Sequence, residues 1–134
     1  MEQGPLGMHA TTALPFAEAD RAVREALKAE GFGVLTEIDV TATLKEKIGA
    51  EIEPYRILGA CNPKLANEAL SIWRGFGLLM PCNVVIQDAG DHRVVMAFDP
   101  LTLQQARDVP EVEAIAAQIR AALGRALAAL EGAR

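Results

Sequence analysis

Between Phe16 and Glu30 apolar residues return at helical spacing, at Ala19, Ala22, Val23, Ala26 and Leu27, while Glu18, Asp20, Arg21, Arg24 and Lys28 fill the other side. That period predicts an amphipathic helix with its stripe toward a core. Gly31 ends it, and Phe32 is placed to fold back on Leu27 as in a glycine-terminated helix. The period then changes to two. From Gly33 to Val40, Val34, Thr36, Ile38 and Val40 fall on one side and Leu35, Glu37 and Asp39 on the other, as in a half-buried strand. A short helix follows, with Asp39, Thr41 and Thr43 as candidate caps, Leu44 and Ile48 on one face, and Gly49 as a stop.

Tyr55 to Cys61 reads as another strand, with Tyr55, Ile57, Gly59 and Cys61 sharing a face. Asn62 then caps a helix: its side chain can accept from a free N–H of the first turn, and Pro63 sits where a missing N–H costs nothing. Leu65, Ala69 and Ile72 form that helix's inward stripe. Trp73 to Gly77 is a glycine-punctuated connection, and a strand begins only after Pro81, because proline cannot donate to a ladder. Cys82 to Asp88, the turn Ala89-Gly90-Asp91 and a return strand from His92 to Phe98 predict an antiparallel hairpin. Met8 to Leu14 is a short strand-like stretch closed by Pro15. Asp99-Pro100 breaks the hairpin's second strand, Leu101 to Val109 fits no single period, and Pro110 opens a helix to about Leu130 with Val112, Ile115, Ile119, Leu123, Leu127 and Leu130 in line. This order of elements predicts an α+β fold, a mixed or antiparallel sheet with helices on one face.

Composition narrows the picture. A chain of 134 residues, 51% hydrophobic and 23% charged, suits a single domain over 1–134 with one core. No apolar run approaches the roughly 18 residues that span a bilayer, so no membrane role is expected. A net charge of −5 repels phosphate backbones, which argues against a nucleic-acid partner. The opening Met1-Glu2-Gln3-Gly4-Pro5 lacks a basic region and an apolar segment, which predicts a cytoplasmic address, with the two cysteines as free thiols.

Candidate chemistry gathers around those cysteines, because each opens a Cys-Asn dipeptide after a short apolar run: Cys61-Asn62 and Cys82-Asn83. Cys61 lies one residue before the expected helix N-terminus, where partial positive charge favours thiolate. The plainer account makes both thiols small buried hydrophobes. A Cys-x-x-Cys redox motif is absent, so any meeting of the two depends on the fold. His9 and His92 are the chain's two histidines and form no paired ligand motif with the cysteines, so no metal or cofactor is expected. Ser71 is the sole serine and lacks a Gly-x-Ser-x-Gly elbow, which excludes a serine hydrolase of that type. Tyr55 and Asp99 stand at element ends where a cleft recruits polar groups, although Asp99 also suits an Asp-Pro turn.

Pro54-Tyr55-Arg56-Ile57-Leu58-Gly59-Ala60-Cys61-Asn62-Pro63 and Gly77-Leu78-Leu79-Met80-Pro81-Cys82-Asn83-Val84, together with Asp99-Pro100, resemble the signature of the domain of unknown function 302 family. The resemblance runs from about Met8 to Leu130, leaving residues 1–7 as a flexible N-terminus. It implies a curved, mostly antiparallel sheet with helices packed on one face, similar to the TATA-box-binding-protein-like architecture, and a homodimer. It implies no DNA binding, since fold does not carry function. The family brings no activity, and Cys61, Cys82, Asn62, Asn83, Tyr55 and Asp99 remain candidate pocket residues without assigned roles. The expectation is a homodimeric small-ligand-binding or accessory module with a pocket near Cys61 and Cys82. The alternatives are a thiol-based redox or sulfur-transfer protein and a purely structural interaction module.

Overall fold

The computed structural model describes residues 1–131. Strands β1 (Glu2–Gln3), β2 (Gly7–Thr12), β3 (Gly33–Asp39), β4 (Tyr55–Cys61), β5 (Cys82–Asp88) and β6 (Arg93–Phe98) form one sheet in the order β1-β2-β6-β5-β4-β3. Every ladder is antiparallel. Helices α1 (Phe16–Ala29), α2 (Val40–Ile48), α3 (Pro63–Ile72), α4 (Gln104–Asp108) and α5 (Pro110–Ala128) complete the α+β fold that the pattern predicts.

Period two decides which side chains enter the core. Met8, Ala10, Leu58, Ala60, Val84, Ile86, Val95 and Ala97 alternate along four strands and are buried against Val23 and Leu27 of α1 and Leu123 and Leu127 of α5. Each large side chain among them contributes about 1.5–3 kcal/mol by leaving water. The residues between them occupy the opposite face, which α1 and α5 leave open.

Local signals act as their chemistry requires. Phe32 N donates to Leu27 O at 2.9 Å past Gly31, whose φ of 85° is the left-handed value that glycine adopts without strain. Asn62 Oδ1 accepts from Leu65 N at 3.2 Å, with Pro63 at the first position of α3. Of three candidate caps for α2, Asp39 takes the role, accepting from Ala42 N at 2.9 Å. Thr41 instead bridges Tyr55 N and Glu53 O, each at 2.8 Å.

Four details depart from the pattern. A bulge at Leu35 pairs Val34 with Ala60 but Thr36 with Gly59, so Val34 packs on the core while Thr36 and Ile38 take the open face. Ile72, expected to face inward, is 44% exposed, and Ile48, expected to share a face with Leu44, is 74% exposed. The ambiguous stretch after Asp99 resolves into a 3-10 turn (Pro100–Thr102) and α4. Residues 1–7, expected to be flexible, instead supply β1, and the Met1 ammonium pairs with Glu131, which also accepts from Thr11 N at 3.0 Å.

An ionic cluster ties α1 to the far edge of the sheet. Asp20 takes Arg24 Nε at 2.7 Å and Arg56 Nη1 at 2.9 Å, and Glu37 takes Arg24 Nη2 at 2.6 Å. Burial alone pushes the Asp20 carboxyl upward, but hydrogen bonds and charge from both guanidinium groups outweigh it and hold the group below its ordinary value.

Candidate functional site

The two Cys-Asn dipeptides are out of phase. Cys82 lies opposite Ala60 in the β4–β5 ladder, and Ala60 is fully buried, so Cys82 shares the helix-covered face and packs against the core. Cys61 is the next residue after Ala60 and alternates to the other face at the strand's end. Asn62 is spent on capping α3, whereas Asn83, opposite Gly59, is exposed on the open face.

The two cysteines nevertheless border one space at the end of the sheet. Both line a hollow of about 40 Å³ beneath the start of α3, closed by Leu65, Met80 and Pro81. It has room for a few waters and falls well below the roughly 300–1,000 Å³ of a ligand pocket. Burial, aided by repulsion from Cys61, pushes the Cys82 thiol up to about 11 from 9.0. Such a thiol is almost wholly protonated at neutral pH and is a poor nucleophile.

Asp99, just past the end of β6, is structural in its contacts. It is buried, accepts from Arg120 Nε at 2.9 Å, Leu101 N at 2.9 Å and Gln3 Nε2 at 3.2 Å, and so joins β1, β6 and α5.

Tyr55 and Asn83 belong to a different and larger hollow. The strand registers set a continuous row across the open face, Ile38–Ile57–Val85–Met96–His9, with each member opposite the next. Val85 and Met96 floor a trough of about 620 Å³, walled by Leu78, Leu79 and the Met80–Pro81 pair on one side and by Leu6 on the other. The wall is held close by Gly59, where a Cβ would stand 2.1 Å from Thr36 Oγ1 and 2.7 Å from Pro81 Cγ. Its rim is apolar and unusually open to water: Leu78 is 86% exposed and Leu6 67%.

Polar side chains enter the trough at three places: Asn83 from β5, Tyr55 from β4 and His9 from β2. None of the three has a side-chain hydrogen-bond partner among the described residues. The lining contains no Asp, Glu, Lys or Arg. Sequence reasoning singled out Tyr55 and Asn83 but set His9 aside, although its place between the core residues Met8 and Ala10 marks it as a residue of the opposite face. Among the described residues no group of three or more His, Cys, Asp or Glu side chains is placed to hold a metal ion. No helix among them is long and apolar enough to cross a membrane.

Residues 8–130 match the sequence model of the domain of unknown function DUF302. Among solved structures, the chain is similar to an uncharacterized conserved protein DUF302 from Bacillus stearothermophilus, with a TM-score of 0.86 and 28% identity over 94% of this chain and 98% of that one. No curated protein matches.

Proposed function

Given that the chain belongs to the DUF302 family, whose description carries no activity, we propose that it is a small-molecule-binding module whose site is the open-face trough. One observation carries this reading. Three hydrogen-bonding side chains, His9, Tyr55 and Asn83, without side-chain partners among the described residues, surround an apolar floor in a hollow of ligand size. Hydrogen-bonding groups left open to an incoming molecule beside Val85 and Met96 are suited to a guest with an apolar body. The thiol hollow lies behind the Met80–Pro81 wall, which lines both spaces. Its size and the suppressed ionisation of Cys82 speak against redox or sulfur-transfer chemistry there.

Self-association is part of the same proposal. Beside the trough, Ile38 and Ile57 lie outside its lining with no helix of α1 or α5 over them, and the free edge strand β3 adds Leu35 at 69% exposure. A second copy seated on that apolar surface would cover it. Sedimentation equilibrium across the micromolar range reads this directly, and a monomer throughout removes the dimer without touching the trough.

Titration with the neutral dye Nile red tests the site. Saturable, blue-shifted fluorescence is expected, lost in Val85→Lys while circular dichroism is retained. Failure to saturate, or equal binding by the variant, overturns the proposal and leaves a structural interaction module.

A further inference from the structure

We propose that the trough selects an uncharged, elongated, flat molecule carrying a hydrogen-bonding group at each end. This rests on the trough being a binding site and adds the chemical class of its guest. Charge comes first. The chain is 23% charged, yet the lining contributes no Asp, Glu, Lys or Arg, so no permanently charged side chain there pairs with a carboxylate or an ammonium. A charged group seated on the apolar floor, away from the open rim, loses hydration that no partner there replaces. The same guest in neutral form loses much less.

Length follows from the ladders. Asn83 lies opposite Gly59, and Tyr55 is four residues further back along the same strand, a separation of roughly 13 Å at strand rise. His9 stands two strands from Val85 across the row, roughly 10 Å away. A guest that touches both Asn83 and Tyr55 must carry its polar groups at opposite ends of an elongated frame. Two fused rings with a polar substituent at each end make such a frame, lying over Val85 and Met96 between them. Asn83 offers both an amide donor and an acceptor, which pairs in two contacts with a carboxamide, and the Tyr55 hydroxyl serves the other end.

Four probes on one bicyclic frame separate these claims: 6-hydroxy-2-naphthamide, 6-hydroxy-2-naphthoate, 6-(aminomethyl)-2-naphthol and 2-naphthamide, titrated at pH 7 by calorimetry. The hydroxy-amide is expected to bind at least tenfold more tightly than the anion or the cation, and several-fold more tightly than 2-naphthamide. Asn83→Ala is expected to cost the hydroxy-amide about tenfold, and Tyr55→Phe to bring it level with 2-naphthamide. Both positions lie on the open face, and circular dichroism confirms folding. Equal binding of either charged probe overturns the charge selection, and insensitivity to both substitutions overturns the two-ended readout. If no naphthalene binds while Nile red is still held, the class is wrong and the site stands; if Nile red is not held either, the site itself falls.

Discussion

Replacing Asp99 decides whether this residue belongs to a site or to the scaffold. The carboxylate is 3% exposed and carries three contacts that differ in kind. Leu101 N at 2.9 Å makes it the cap of the turn after β6, and loss of such a cap costs about 1 kcal/mol. Arg120 Nε at 2.9 Å is a charge-assisted bond worth about 1.5–3 kcal/mol. Arg120's side chain is 39% exposed and partly recovers hydration once released, so the lower half of that range applies. Asp99→Ala is therefore expected to lose about 3 kcal/mol, or roughly 10 °C in Tm for a chain of this size. Asp99→Asn keeps the cap and is expected to lose about half as much. Urea melts of both, with Arg120→Met to complete a double-mutant cycle, measure the terms separately. Nile red binding at full strength in Asp99→Asn is the companion expectation. A loss under about 1 kcal/mol in Asp99→Ala, together with lost dye binding, would refute the assignment and return Asp99 to the functional residues.

Three other substitutions test separate parts of the molecule. Cys82, with its thiol at about 11 against 9.0 unfolded, gives stability that is whole below pH 9 and falls as pH rises through 11; wild type should lose about 2 kcal/mol relative to Cys82→Ala across that window, and native iodoacetamide labelling of Cys82 near neutrality at an ordinary thiol's rate would contradict it. Asp20, held below 3.8, gives stability that is present above that value and lost as pH falls beneath it, so acid melts of wild type and Asp20→Asn should converge, and a constant gap would refute the pairing. Gly59→Ala drives a methyl into Thr36 and Pro81 and should destabilise the fold by about 1–3 kcal/mol while weakening Nile red binding through the displaced wall; unchanged melting would refute the close contact.

What the letters reveal follows the range of the interactions that decide each feature. The bounds of β4 and β5 were legible because Pro54, the Asn62-Pro63 pair and Pro81 act within a residue or two of where they stand. The α5 stripe was legible for the same reason: Val112, Ile115, Leu123 and Leu127 repeat within one helix and are buried as a set. Strand order was not legible, because β2 pairs with β6 across most of the chain, and no local period encodes that choice. The Leu35 bulge hid a reversal of phase inside an otherwise regular alternation.

Alternation separates the two Cys-Asn dipeptides that the sequence pairs. Cys61-Asn62 and Cys82-Asn83 share letters, but Cys61 closes a strand whose buried set is Leu58 and Ala60, while Cys82 opens one whose buried set is Val84 and Ile86. The first cysteine is one residue from the nearest buried position and the second is two, so equal dipeptides take opposite faces. Parity against the buried set therefore separates the asparagines: Asn62 ends on a helix cap and Asn83 over the trough. Applied to the whole chain, the same parity assigns His9, Met96, Asn83 and Gly59 to the open face, and the ladders then set His9 beside Met96 and Asn83 beside Gly59. A dipeptide repeated at two strand ends is informative about function only after its phase in each strand has been counted.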